Sequence, residues 1–272
     1  MASLGVRHLS QAWVLLVAST LIQCGSAQFC SFWNNGCIDP LAQTAVAFNF
    51  PPLFLNPLTL FYSFDSSSSG KGEGPMTKTA FWLGYQDHNI DPHVVDTNRT
   101  SEVALRVGNL TGTPMGPNNG CDGIWGPACS HDIKTALQGT MYELATSGDY
   151  YHQPLATALD QFMMTPPMLP SCGAPVFDVA AIPVQDFVYE QAPSQEVTIM
   201  KTGSSYHPWQ VWYLDQMTDT QQASQVAVGI ISRCPSFDSA PPLSPDDIQI
   251  ELVCLQAPQG PPTGSGSPND HD

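Results

Sequence analysis

The sequence predicts an α+β fold of mainly antiparallel strands, with a central insertion of two helices and disulfide stabilisation. Short β-branched and aromatic runs alternate with Pro, Ser and Gly clusters between residues 45 and 110, and strand patterns return after residue 172. Between these groups, apolar residues recur at helical spacing. Seven cysteines follow residue 27, which is typical of a disulfide-stabilised chain.

The strands are defined by runs of apolar and aromatic residues. The first group covers residues 45–50, 58–64, 80–85 and 103–107. In the second group, 197–201 and 209–214 flank a Thr-Gly-Ser-Ser loop and predict a hairpin, and 226–232 forms a further strand. The last strand is the clearest, because four apolar residues alternate with Gln249 and Glu251; they are Ile248, Ile250, Leu252 and Cys254.

Two long helices and one short helix have recognisable ends. Ser130 is the expected N-cap of the first helix, which ends at Gly148. Pro154 suits the first position of the second helix, and the Thr-Pro-Pro run from Thr165 stops it. Thr218 and Gln221 have capping-box spacing and predict a short helix over 219–225.

The first 27 residues have the pattern of a secretory signal peptide. Arg7 precedes an apolar run at 12–22, and Gly-Ser-Ala ends the segment at Ala27. We therefore expect a secreted, extracellular protein with no membrane span. Residues 28–255 are expected to form a single α+β domain, or two lobes, a β-rich lobe at 28–120 and an α+β lobe at 121–255. Residues 256–272 lack apolar side chains to bury and predict a disordered tail.

Disulfides are expected because secreted chains mature in an oxidising compartment. Proximity in sequence favours Cys30–Cys37 and Cys121–Cys129, since short loops close at low entropic cost. Three further cysteines then compete for one long-range bridge. These are Cys172, Cys234 and Cys254. We favour a bridge between Cys172 and Cys234, because Cys254 lies in an apolar strand where a thiol is buried and inert.

The charge balance excludes some partners and the sequons predict a modification. A formal net charge of −16 disfavours phosphate backbones and anionic lipid surfaces, so no nucleic acid is expected as a partner. Asn98 and Asn109 each begin an Asn-x-Thr glycosylation sequon. We therefore expect an acidic glycoprotein in which residues 96–111 lie near the surface.

The densest group of candidate metal ligands lies within residues 87–96. It comprises Asp87, His88, Asp91, His93 and Asp96, and imidazole with carboxylate suits zinc, manganese or iron. The spacing matches no defined metal signature, and Pro92 separates the histidines. We interpret the segment as a polar surface loop, so no metal or other cofactor is expected, and His88, His93 and Asp91 stay the weak candidates.

Nucleophilic catalysis has no clear signature in this sequence. There is no Gly-x-Ser-x-Gly elbow, and Ser204, Ser205 and His207 lie together in a predicted hairpin loop. No catalytic residue is assigned.

Three stretches resemble uncharacterised secreted proteins of filamentous ascomycete fungi. They begin at Asn118 (NNGCDGIWGPAC), at Pro208 (PWQVWYL) and at Gln225 (QVAVGIISR), the last followed by DIQIELVC from Asp247. The resemblance spans most of residues 105–256. It implies a fungal, extracellular protein and supplies no site residue.

Two function hypotheses remain. The favoured one is a non-enzymatic binding or interaction protein with an extracellular partner or a cell-wall polymer. The alternative is a secreted hydrolase or metal-dependent enzyme associated with a fungal biosynthetic pathway. An enzyme should bring His88, His93 or several carboxylates together in a deep pocket; a binding protein should not.

Overall fold

The computed structural model describes residues 29–31, 36–38, 42–50, 57–67, 74–85, 99–148, 152–173, 175–187, 198–199, 210–236 and 239–257. The strands in these segments are β1 Phe29–Ser31, β2 Gly36–Ile38, β3 Ala42–Phe48, β4 Leu58–Ser67, β5 Met76–Tyr85, β6 Arg99–Arg106, β7 Val184–Asp186, β8 Thr198–Ile199, β9 Gln210–Asp215, β10 Ala227–Pro235 and β11 Gln249–Leu255. The helices are α1 Asp122–Thr146, α2 Pro154–Met164 and α3 Asp219–Ser224, with a 3₁₀ turn at Pro245–Asp247.

Two antiparallel sheets organise the described chain, besides the small β1–β2 pair. The central sheet has the strand order β11-β10-β6-β7. The outer sheet has the order β3-β4-β5, and both β8 and β9 pair with β5. Together with the helices and two disulfides, this arrangement confirms the predicted disulfide-stabilised α+β fold.

The central sheet is buried on both faces. Val103 and Ile231 belong to the core shared with the outer sheet, whereas Ala104 and Ile230 belong to the core shared with α1 and α2. Every residue of β10 from Ala227 to Cys234 is consequently buried. A strand covered on both sides reads as a continuous apolar run, and this explains the clear strand pattern of this segment.

The outer and central sheets approach closely at Gly229. A Cβ atom at this position would overlap Leu60 Cδ2, and Leu60 is fully buried. Gly229 is therefore needed because any side chain would collide with the facing sheet.

The predicted hairpin at 197–201 and 209–214 is wrong. β8 pairs with Gly84 and Tyr85, and β9 pairs with the Met76–Phe81 part of the same strand, β5. The two strands therefore lie one after the other along β5. The loop sequence indicated a turn, but the long β5 provided the partner for both strands.

Helix α1 begins earlier than its predicted cap. It starts at Asp122, is kinked at Gly126 (φ 83°), and continues from Pro127. Ser130 is therefore a buried residue within the helix and not its N-cap. At the other end Gly148 has φ 87°, which fits its predicted role as the stop.

The two other helix starts follow the sequence. Pro154 occupies the first turn of α2. Thr218 caps α3 through a capping box with Gln221, so both predictions are confirmed.

The disulfide pairing corrects the expectation based on proximity. Cys121 is bonded to Cys254 and Cys129 to Cys172, over sequence separations of 133 and 43 residues. The fold brings the Cα atoms of each actual pair to 4.9 and 4.7 Å, within the range of a disulfide, although the partners are distant in sequence.

Cys234 is the free cysteine among the described residues and is buried. Its predicted bridge is therefore wrong, as is the predicted free thiol at Cys254. Cys30 and Cys37 lie opposite each other in the β1–β2 register, and their bridge stays a prediction.

Several predictions fall outside the described residues: the signal peptide, the 87–96 cluster with His88, Asp91 and His93, and the Asn98 sequon. Ala257 is buried in the core with the outer sheet, so packed chain extends past the predicted start of the tail at 256. In the part of the chain that the structure describes, no helix is long and apolar enough to cross a membrane.

Candidate functional site

Two adjoining cavities form a surface groove beside the Cys129–Cys172 bridge, here called the disulfide groove. Their volumes are about 290 and 270 Å³, and they share Cys172, Gly173 and Val176. The first cavity is lined by Asn109, Leu110, Thr111, Ile124, Trp125, Cys129, Cys172, Gly173 and Val176. The second is lined by Pro166, Pro167, Leu169, Cys172, Gly173, Pro175, Val176 and Phe177.

The kink in α1 turns Trp125 into the first cavity. Its indole Nε1 donates a hydrogen bond to Ser130 Oγ at 2.8 Å, and Ser130 Oγ donates to Asp122 Oδ1 at 3.3 Å. The polar edge of the indole is thus satisfied within the protein. The half-buried ring contributes mainly an apolar face to the groove.

A buried guanidinium joins the two walls of the groove. Arg106 Nε donates to Val176 O at 2.7 Å, and the other nitrogens donate to Gly108 O and Asn109 Oδ1. Burial lowers the pKa of Arg106 to about 10, while the charge of Asp178 acts in the opposite direction. Arg106 remains a cation at neutral pH, so its hydrogen bonds to the walls are charge-assisted.

Asn109 lies at the rim of the first cavity. It is exposed and adopts the left-handed conformation (φ 46°), which asparagine tolerates. Its Nδ2 donates to Asp178 O at 2.9 Å. The exposure agrees with the expected surface position of this sequon, and glycosylation at Asn109 stays a prediction.

The lining of the groove contains no carboxylate, imidazole, amine or guanidinium among the described residues. Its two cysteines are bonded to each other and supply no thiolate. Acid–base or nucleophilic chemistry needs such groups within hydrogen-bond reach of a substrate. The groove is therefore suited to binding, with the Thr111 hydroxyl as a polar point, because both polar atoms of the Asn109 amide are bonded within the protein.

Two exposed methionines flank the second cavity. Met164 is 78% exposed and Met168 is 96% exposed, on either side of Pro166 and Pro167. Methionine side chains are flexible and polarisable, and they adapt to differently shaped apolar partners. They extend the apolar surface of the groove onto the outside of the protein.

A second polar group lies deep between the central sheet and α2. Glu102 on β6 is fully buried, and its carboxylate oxygens accept hydrogen bonds from Leu155 N at 2.7 Å and Ala156 N at 3.2 Å. Gln153, the N-cap of α2, makes no side-chain capping bond. Glu102, a residue of β6, therefore supplies the N-terminal cap that Gln153 does not give to α2.

The environment of Glu102 favours its neutral form. Burial raises the pKa of Glu102 to about 8, and the charge of Asp186 on β7 adds to this; the two backbone N–H bonds oppose the shift. Asp186 and Ser232 are the register neighbours of Glu102 on either side, on β7 and β10.

Cys234 lies on the same face of the central sheet as Glu102, and its thiol is not reactive. Burial raises its pKa to about 12, the charge of Glu102 adds to this, and Arg99 opposes it. The adjacent cavity, lined in part by Met141 and Pro154, has a volume of about 10 Å³, enough for one water. The cluster around Glu102 and Cys234 thus has no room for a substrate.

The structure brings few of the predicted candidates together. His88, His93 and Asp91 lie outside the described residues, and within those residues no group of three or more metal-ligating side chains occurs. Sequence reasoning missed the groove, because its lining comes from three separate segments. The run Thr-Pro-Pro was interpreted only as a helix stop, although Pro166 and Pro167 form part of the wall.

Comparisons with known proteins add no relationship: no family model, no curated protein and no solved structure matches the chain.

Proposed function

We propose that the protein is a secreted binding protein whose disulfide groove holds an uncharged ligand with a flat apolar face. The observation that carries this proposal is the lining of two adjoining cavities without any titratable side chain. Each cavity is near the lower limit for small-molecule sites, which are mostly apolar with a few polar groups, and together they offer a longer surface.

The chemistry of the lining narrows the ligand class. No cationic side chain is among the described lining residues, and the Arg106 guanidinium behind the walls already bonds to three oxygen acceptors, so with a net charge of −16 on the chain an anionic ligand is disfavoured. A carboxylate to pair with a cationic ligand is equally absent from the lining. The half-buried Trp125 ring and Val176 favour an aromatic or alicyclic surface, and the Thr111 hydroxyl offers a hydrogen bond to its edge.

An extracellular location is part of the proposal. It is supported by the signal-peptide pattern of the first 27 residues and by two disulfides, since disulfides persist in oxidising compartments. The resemblance to secreted ascomycete proteins supports a fungal source, and the Asn98 and Asn109 sequons support glycosylation. The enzyme alternative finds no support in the groove, which lacks acid–base groups.

Binding can be tested with the uncharged fluorescent probe N-phenyl-1-naphthylamine. A Cβ at Gly173 would meet no atom within 4 Å, so Gly173→Leu should fill the groove without distorting the backbone. We expect the wild type to enhance the probe's emission, and Gly173→Leu to weaken binding by about tenfold, equal to about 1.4 kcal/mol.

Gly139→Leu is the matched control, because Gly139 is also free of neighbours within 4 Å and lies in α1, outside the groove lining. It should bind the probe like the wild type. Equal loss in both variants, or no enhancement by the wild type, would remove the proposed function.

A further inference from the structure

Two polar atoms beside Glu102, Asp186 Oδ1 and Ser232 Oγ, are buried without a hydrogen-bond partner. The carboxylate oxygen of Asp186 can only accept, whereas the Ser232 hydroxyl carries a hydrogen of its own. Both residues flank Glu102 directly in the central sheet. An unpartnered buried polar atom is costly, so a hydrogen that satisfies one of them stabilises the fold.

We propose that Glu102 keeps a proton in the folded protein and that this proton fastens edge strand β7 to the central sheet. A protonated Glu102 still accepts from the α2 N-terminus through its carbonyl oxygen, and its O–H becomes a donor. The carboxylate of Asp186 is a stronger acceptor than the hydroxyl of Ser232, because bonds to ionised acceptors are stronger. The bond therefore joins β6 to β7.

β7 depends on such a bond more than its neighbours do. It has three residues and lies at the edge of the sheet, paired only with β6 within the described chain. Asp186 Oδ2 has one other bond, from Gln153 Nε2 at 3.2 Å. Without the proton, two carboxylates face each other across β6 and β7, and their repulsion acts on the shorter strand.

The groups around Glu102 set the direction of the pH dependence. Asp186 on β7 and Cys234 on β10 face Glu102, and the charge of Arg99 on β6 acts on Cys234. The first turn of α2 has no titratable side chain, and His152, which precedes this helix, is exposed. Since burial raises the pKa of Glu102 from 4.5 to about 8, the neutral form is favoured by folding. This contribution is complete below the ordinary pKa and is lost as the pH rises through about 8.

The first measurement is a ¹³C NMR titration of the side-chain carboxyl of Glu102 in the wild type. We expect an apparent pKa near 8 rather than near 4.5. A carboxyl that titrates near 4.5 overturns the proposal. This measurement needs no variant and stays decisive even if substitutions at Glu102 prevent folding.

The second measurement is hydrogen exchange at Phe187, whose N–H donates to Ser101 O at 3.0 Å beside β7. We expect its protection factor to fall about tenfold between pH 6 and pH 9.5, because the loss of the proton removes the bond that fastens β7. Glu102→Gln should abolish this change, because its amide stays neutral and keeps a donor. The exposed Glu143→Gln removes the same charge and should behave as the wild type. A constant wild-type protection factor, or the same fall in Glu102→Gln, would disprove the role of the proton.

Discussion

The two faces of the central sheet are built from the same strands and differ in kind. The face toward the outer sheet is filled mainly by large apolar side chains such as Leu105, Ile231 and Val253. The face toward the helices also holds Glu102, Arg106, both described disulfides and the inner wall of the disulfide groove. Successive side chains of β6 point to opposite faces, so Val103 and Leu105 face the outer sheet while Glu102 and Arg106 face the helices.

The two faces also differ in how closely they are covered. The two sheets pack closely at the contact between Gly229 and Leu60, where an added Cβ atom would overlap the facing side chain. Helices cover the opposite face less completely, so cavities form where α1, α2 and their connecting segments meet. On that face Glu102 and Arg106 are held by hydrogen bonds to these segments.

Removing the disulfides should give the largest effect and tests the helix-facing side. In the chain-entropy model, loops of 133 and 43 residues give about 5 and 4 kcal/mol of stabilisation. We therefore expect Cys121→Ser/Cys254→Ser to lose more unfolding free energy than Cys129→Ser/Cys172→Ser, measured by denaturant titration without reductant. Of the two double variants, Cys129→Ser/Cys172→Ser should also weaken probe binding, because these cysteines line the groove, whereas Cys121→Ser/Cys254→Ser should not. The reverse order of stabilities would contradict this account.

The opposite face is tested by the contact between Leu60 and Gly229. Leu60→Ala should cost about 2–5 kcal/mol through the cavity it leaves, and Gly229→Ala about 1–3 kcal/mol through overpacking. In the double variant the new methyl group lies in that cavity, so the loss should be smaller than the sum of the single losses. A double-mutant cycle in denaturant measures this coupling, and additive losses would show that the two residues do not share one packing site.

The smallest change in unfolding free energy is expected at Gly139 in α1, which belongs to neither face of the central sheet. A Cβ there meets nothing within 4 Å, and the residue has ordinary helical backbone, so Gly139→Ala should raise the unfolding free energy by about 0.5–1 kcal/mol. Gly148→Ala is the contrast, because its φ of 87° is strained for alanine. It should lower the melting temperature in the same calorimetric series, and a gain at both positions would argue against the backbone explanation.

The sequence predicted those elements whose signals are local. The alternation ending at Cys254 identified β11 and its buried face, and the Thr218–Gln221 spacing identified the start of α3, because both patterns depend on adjacent residues. The end of α1 at Gly148 was also predictable, since it needs only a positive φ.

Apart from the start of α1, the misses depended on partners distant in sequence. β8 and β9 pair with β5 rather than with each other, and the cysteines choose partners that the fold brings close. The groove combines residues from the segment after β6, from α1 and from the segment after α2. Glu102 was one acid in a strand pattern, and only the position of α2 over β6 reveals its role.

The pairing of β6 with β10 also governs when the protein can fold. Arg106 lies opposite Val228, so β6 and β10 cannot pair until more than 120 further residues have been synthesised. Such non-local pairings slow folding, and the uncovered apolar residues of β6 favour aggregation in the meantime. We therefore expect the sheet to form only after β10 and β11 have been made, with Cys121 and Cys254 among the last partners to meet.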